Sequence, residues 1–255
     1  MKHILASMAV LIAFSPAARA QDTAAVHKAD TTVKAKVDTA AKPKPDTTHA
    51  VHIASPYEDF SQLHAFQLDV GYFAGNTGDA GVGPQGAPIA NLSYGLHIGG
   101  AMFAFATLGY TPSKRTVLDP VLPPAQQNKG TVNDPIILAN IGMLLAVTGE
   151  KSWHGMVPFL GFTLGAAYSA QQPDVGGYEF GTKFFFGLGA GLRYRLKRPW
   201  VLNISAWDYL WQLHYPQDYF NQGPINSVLP ANAPDKQFTN NGVFTIGLTY
   251  VWKDR

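Results

Sequence analysis

The pattern of apolar and polar positions changes character twice along the chain. From about residue 65 onward it alternates with a period of two. In the last stretch Phe244, Ile246, Leu248, Tyr250 and Trp252 fall on one face, and Val243, Thr245, Gly247, Thr249 and Val251 on the other. A period of two is strand geometry. The same alternation recurs upstream. Phe66, Leu68, Val70 and Tyr72 oppose Gln67, Asp69 and Gly71. Leu92, Tyr94, Leu96 and Ile98 oppose Asn91, Ser93, Gly95 and His97. Leu160, Phe162, Leu164 and Tyr168 oppose Gly161, Thr163, Gly165 and Ala167. Phe184, Phe186, Leu188, Leu192 and Tyr194 oppose Gly187, Gly189, Gly191, Arg193 and Arg195.

The pattern predicts eight strands: 66–73, 89–98, 102–110, 136–147, 157–169, 183–196, 200–212 and 241–252. The facing of 102–110 is ambiguous. The gaps run long, short, long, medium, long, short, long, with tight turns at Gly99-Gly100 and Lys197-Arg198-Pro199, and long loops over 111–134 and 214–240. Short turns at one end and long loops at the other are the rhythm of an outer-membrane barrel, and strands near ten residues fit a tilted crossing of the bilayer core. Aromatic residues collect at strand ends. Tyr72, Tyr110, Tyr168, Tyr209 and Trp211 would form one interfacial belt; Phe66, Phe159, Trp200, Tyr250 and Trp252 would form the other. In lipid no backbone group can go unpaired, so the sheet must close. The predicted class is all-β, a closed antiparallel up-and-down transmembrane barrel of eight strands over 65–252. A soluble β-sandwich is the minor alternative. Nine strand glycines, among them Gly71, Gly142, Gly189 and Gly247, fall on the predicted inner face, where a narrow barrel has little room.

Composition agrees. Of the 255 residues only 14% are charged, against about 25% in an average soluble domain, yet the mean hydropathy is −0.03. There is no cysteine, hence no disulfide scaffold, thiolate metal site or lipidated cysteine. The formal charge of +2 arises from Lys2 and Arg19 in the first twenty residues, so no basic nucleic-acid-binding face is indicated.

Residues 1–20 read as a signal peptide: Lys2, an apolar run from Ile4 to Phe14, and Ala18-Arg19-Ala20 before a cleavage point. Residues 21–64 read as a low-complexity periplasmic tail. Asp-Thr pairs recur every eight residues at Asp22, Asp30, Asp38 and Asp46, three of them in Lys-x-Asp-Thr units beginning at Lys28, Lys36 and Lys44. Without aromatics such a segment cannot offset its ordering entropy and is expected to be a solvated spacer. A sharper reading has its lysines touching the cell wall or anionic headgroups. Pro56 to His64 would be a short turn or helix at the mouth of the barrel.

The end of the chain resembles the C-terminal signal strand of bacterial outer-membrane proteins, with Thr245, Gly247, Tyr250 and Trp252 at the matching positions and three further residues after the last aromatic. That resemblance implies recognition by the barrel-assembly machinery. The whole region 66–252 resembles the small OmpA-, OmpX- and OmpW-like barrels of Gram-negative envelopes. The resemblance is carried by Gly109-Tyr110-Thr111-Pro112-Ser113, Phe184 to Leu196, Trp207-Asp208-Tyr209 and the closing strand. It implies residence in the outer membrane among its lipids. Related barrels often carry arginine where this chain has Trp207, so the salt bridge they would make to Asp208 is not expected.

Candidate chemistry is sparse. No His-x-Ser lipase-type pair, Gly-x-Ser-x-Gly elbow or His-Glu-x-x-His motif is present. No cofactor and no metal are expected. The inner polar positions include Asp69, His97, Asn140, Arg193 and Arg195. Asp69 with Arg193 or Arg195 would make an interior ion pair, either as a plug or as the lining of a narrow pore. His97 reads as a hydrogen-bonded interior residue, and His214 as a base only if a loop supplied partners. Asp208 falls on the outward face, either above the hydrocarbon or turned inward by a bulge. The sequence therefore favours a non-enzymatic barrel with a structural or loop-mediated role. A narrow porin-like channel for small or apolar solutes is the alternative, and a lipid A-modifying enzyme a more distant one.

Overall fold

The computed structural model describes residues 55–60, 62–220 and 227–252. The signal peptide and the repeat segment lie outside the described residues. Eight long antiparallel strands form the barrel: β1 (His64–Ala74), β2 (Ala87–Gly99), β3 (Met102–Thr111), β4 (Ile136–Ala146), β5 (Met156–Tyr168), β6 (Thr182–Arg195), β7 (Trp200–His214) and β8 (Lys236–Trp252). Each pairs with the next. β8 returns to β1, from Gly242 opposite Ala74 to Trp252 opposite His64, and closes the sheet. No barrel edge is left to solvent or lipid.

The alternation settles every facing. Leu68, Val70, Ile141, Leu164, Leu188 and Ile246 point outward and are about half exposed. Their partners in sequence point into the barrel. β3 was ambiguous because its inward residues include Phe103 and Phe105, while Ala104 and Ala106 face out. The outward apolar band and the closed ladder are those of a membrane-spanning barrel.

At the turn end an aromatic belt runs across neighbouring strands. Trp200 packs on Tyr250, Tyr250 on Trp252, and Trp252 on His64, whose Nδ1 lies 2.7 Å from the Tyr94 hydroxyl. At the loop end Tyr72, Tyr110 and Tyr168 are outward and exposed. Three expected belt members are not in it: Phe159, Tyr209 and Trp211 face inward and are buried.

Other departures lie outside the barrel wall. The 111–134 loop carries a hairpin, Lys114–Leu118 against Asn128–Asn133. The closing strand starts at Lys236, so the final loop is shorter than expected. The transition before β1 contains a strand, Tyr57–Asp59, paired with Lys151–Trp153 in the β4–β5 turn. Leu63 N donates to Trp252 O, and Leu63 O accepts from His97 N, both beside β1. Phe60 N donates to Glu150 O, and Pro56 O accepts from His154 N, both at the β4–β5 turn. In a ring of eight strands β1 and β5 are opposite. The segment before β1 therefore crosses the mouth of the barrel.

Candidate functional site

Inside the barrel three layers are stacked. The middle layer is polar. Asp69 accepts a hydrogen bond from Gln67 Nε2 at 2.7 Å. Thr163 donates to Asn140 Oδ1 at 2.9 Å. Ser93 pairs with Thr107, and Ser205 with Thr245, each at 2.8 Å. These groups other than Thr163, with Asn91, Arg193 and Asn203, line a cavity of about 50 Å³, room for a few waters at roughly 10–15 Å³ each. Asp69 Oδ1, Arg193 Nε, Asn140 Nδ2 and Asn203 Oδ1 have no protein partner. Buried polar atoms of this kind need water or ligand atoms to offset their desolvation.

Below this chamber lies an apolar layer of Phe103, Leu144, Val157, Phe159 and Val201, completed from the crossing segment by Phe60. The Arg193 guanidinium lies between two rings of that layer, 5.1 Å from the Phe103 centroid and 5.5 Å from that of Phe159. Such stacking compensates a buried guanidinium for part of its lost hydration. Arg195 sits one inward position further down. Its Nη1 lies 3.0 Å from Glu58 Oε2, its Nη2 donates to Asp59 O, and its guanidinium covers Phe60 at 5.1 Å. His97 is at the same mouth, bonded to Gly100 O at 2.8 Å and packed on Phe103.

Above the chamber a larger apolar layer fills the loop end. Trp211 is at its centre, fully buried, against Phe73, Phe180 and Phe185. The loops supply Val82, Tyr178, Tyr219 and Leu229 to the same layer. Over it lies a buried ion cluster. Arg115, on the inward face of the hairpin, reaches two carboxylates. Its Nε is 3.1 Å from Asp134 Oδ2, and its Nη1 pairs with Asp174. Ser169 donates to Asp134, and Arg115 lies 5.3 Å over the Tyr178 ring. Burial raises the Asp134 carboxyl above its usual range, against the opposing pull of Ser169 and Arg115. Asp174 also accepts from the backbone of Gly176 and Tyr178, so one residue holds both the cation and its own loop.

The expected residues are therefore distributed, not gathered. Asp69, Asn140 and Arg193 share the chamber, but no ion pair joins Asp69 to Arg193 among the described residues. Arg195 is not a partner of Asp69; it clamps the crossing segment. His97 belongs to the lower mouth. Thr245 and Gly247 face the lumen, and Tyr250 and Trp252 the aromatic belt. His214 lies on the exposed rim, 3.6 Å from Asp235. Asp208 stays outward without a bulge and accepts a hydrogen bond from Asn240 at 2.6 Å. The Arg115 cluster was not anticipated. Its three charged members, Arg115, Asp134 and Asp174, span 59 residues and lie in two loops, where no alternation records that they meet. The available signal was an arginine beside a strand end in a chain poor in charge.

No group of histidine, cysteine or carboxylate side chains suited to a metal ion occurs among the described residues. No family model and no curated protein sequence matches the chain. Solved structures do. Neisserial surface protein A aligns at 13% identity over 74% of this chain and 97% of that one, with a TM-score of 0.46. The outer membrane protein OprG from Pseudomonas aeruginosa aligns at 10% identity over 76% and 98%, with a TM-score of 0.45. Ail of Yersinia pestis, solved with the heparin analogue sucrose octasulfate, aligns at 13% identity over 75% and 100%, with a TM-score of 0.36. By its closed ladder, its outward apolar band and its two interfacial aromatic rows, the chain is an eight-stranded membrane-spanning β-barrel protein.

Proposed function

We propose that the barrel does not conduct and is not an enzyme, and that it acts as a membrane anchor presenting a rigid external cap. The observation that carries this reading is the layering of the lumen. The polar chamber lies between two apolar layers, each completed by a segment from outside the wall: Phe60 below, and Tyr178, Tyr219 and Leu229 above. A hydrated ion has no continuous polar path through such layers. The polar side chains that could do chemistry are enclosed with them. The cap is held by buried charge and aromatic packing, which suits a fixed binding surface better than a moving lid. We extend the reading to assembly. The closing strand would be recognised by the barrel-assembly machinery, and the segment ahead of residue 55 would contact the cell wall.

The test is planar-bilayer conductance of detergent-purified, heat-modifiable protein. Silence is expected, and Phe60→Ala should remain silent because Phe103, Leu144 and Phe159 still close the lower layer. Discrete, reproducible steps from the wild-type protein would overturn the proposal in favour of the narrow channel.

A further inference from the structure

The outward wall is not uniformly studded with large side chains. Along β3 and β4 the outward positions Ala104, Ala106 and Ala139 carry only a methyl group. Ala106 faces Tyr94 on one side and Ile141 on the other, and Ile141 faces Leu164. Two contiguous hollows result, of about 560 and 480 Å³, which share Tyr94, Ala106, Ile141 and Leu164. Together they make a trough in the band that faces hydrocarbon.

The trough has a charged head. The alternation of β3 continues through Thr111–Ser113 into the hairpin, so Lys114 is the second outward position beyond Tyr110. Lys114 opposes Asn133; a bulge between Thr131 and Asn128 takes Lys129 out of that alternation but leaves it exposed on the neighbouring strand. The outward face of the hairpin carries Lys114 and no carboxylate, and Lys129 is exposed beside it. Neither lysine is ion-paired among the described residues. Lys114 lies four positions beyond Tyr110, roughly 13 Å along extended chain, which sets its ammonium at headgroup height above the aromatic row. A comparable hollow of about 640 Å³ lies on the other side of the barrel, floored by Ala190 and Ala206. The next outward residue there is Asp208, with Asp235 further up, which would repel an anionic headgroup.

We infer that the β2–β5 trough with Lys114 and Lys129 is a binding site for a phosphorylated, multiply acylated lipid of the outer leaflet. An acyl chain lies over Ala106 and Ala139, and the phosphate meets Lys114, with Lys129 beyond it. The occupant is a lipid and not a second barrel. The hollow is shallow and lies in the hydrocarbon-facing band, and the strand that floors it runs on to a cationic rather than an apolar rim.

The experiment is native mass spectrometry of the full chain, released from detergent in the presence of bisphosphorylated lipid A, counting lipid molecules retained. The wild-type protein should retain one, and dephosphorylated lipid A should be retained poorly. K114Q/K129Q should weaken retention about tenfold or more, since each surface cation contributes on the order of a tenfold factor toward anionic lipid. Ala106→Leu with Ala139→Leu, which fills the trough without adding polarity to the wall, should weaken it comparably. Lys236→Gln should leave it unchanged. Heat-modifiable migration confirms that each variant is folded. Retention unaffected by either double variant, or equally weakened by Lys236→Gln, would overturn the site. Loss with the alanine pair alone would overturn its headgroup half.

Discussion

The indole of Trp207 lies flat on Gly189, its register partner across β7 and β6; a Cβ at Gly189 would stand 2.3 Å from Trp207 Cδ2. The arrangement repeats around the barrel. Tyr209 covers Gly187, Phe159 covers Gly191, Phe185 covers Gly165, and Phe105 covers Gly142, each across a strand pair in direct register. Asp69 lies over Gly247 in the same way. A narrow lumen accepts large side chains only where the neighbouring wall is bare. Gly189→Ala should therefore destabilise the folded barrel by about 1–3 kcal/mol through overpacking, seen as a lower temperature for loss of heat-modifiable migration. An outward substitution such as Ala190→Gly should shift that temperature far less.

Removing the cation from the external cluster should uncouple the cap from the wall. Arg115→Gln leaves Asp134 and Asp174 buried without their shared counter-ion, and breaking a buried pair costs about 3–5 kcal/mol. The expected outcome is new proteolytic cleavage within residues 170–181 while the barrel stays heat-modifiable. A cleavage pattern identical to wild type would show that the cluster does not hold the cap.

How much of this was legible depends on range. The wall was readable because a period of two is written into every strand, and the inner glycines followed from the same count. Tyr209 and Trp211 were misplaced because both faces of β7 are apolar near the loops, so alternation could not say which aromatic faces lipid. Arg195 was given the wrong partner because Glu58 lies 137 residues away, in a segment without periodicity. Sequence order gives no hint that this segment turns back under the mouth. The Arg115 cluster is hidden for the same reason: two loops meet, and no local pattern records it.

The cap should be labile in alkali. Burial raises the hydroxyls of Tyr178, Tyr215 and Tyr219 above their ordinary value, which is about 10. A group whose folded pKa is raised contributes stability below the unfolded value, and loses it as pH rises beyond. The cap should therefore hold up to about pH 10 and loosen progressively above it. Tyrosine absorbance, titrated beside proteolysis of the loops, should show ionisation and opening together. Tyr178→Phe, whose hydroxyl has no hydrogen-bond partner, should reduce the pH dependence with little effect at neutrality.

The Asp134 carboxyl gives the opposite limb. Its raised pKa means that the folded cap binds this proton more tightly than the unfolded chain does. The contribution of Asp134 thus favours the cap below the ordinary aspartate range and declines as pH rises through the raised value. Between pH 7 and 5 the wild-type cap should hold or tighten, and Asp134→Asn should flatten that trend. A wild-type cap that opens on mild acidification would contradict the sign.

The segment that crosses the lower mouth also fixes how force reaches the barrel. Pulling from ahead of Ser55 toward the cell wall would load the three-residue pairing of Tyr57–Asp59 with Lys151–Trp153 before it loaded β1. That short ladder, with the Arg195 contacts to Glu58 and Asp59 inside it, would take the load first. The wall strands, bound along their whole length on both sides, would feel nothing until the segment had come free. The crossing is thus a slack take-up, spending a few weak contacts in series to shield the closed ladder from mechanical strain.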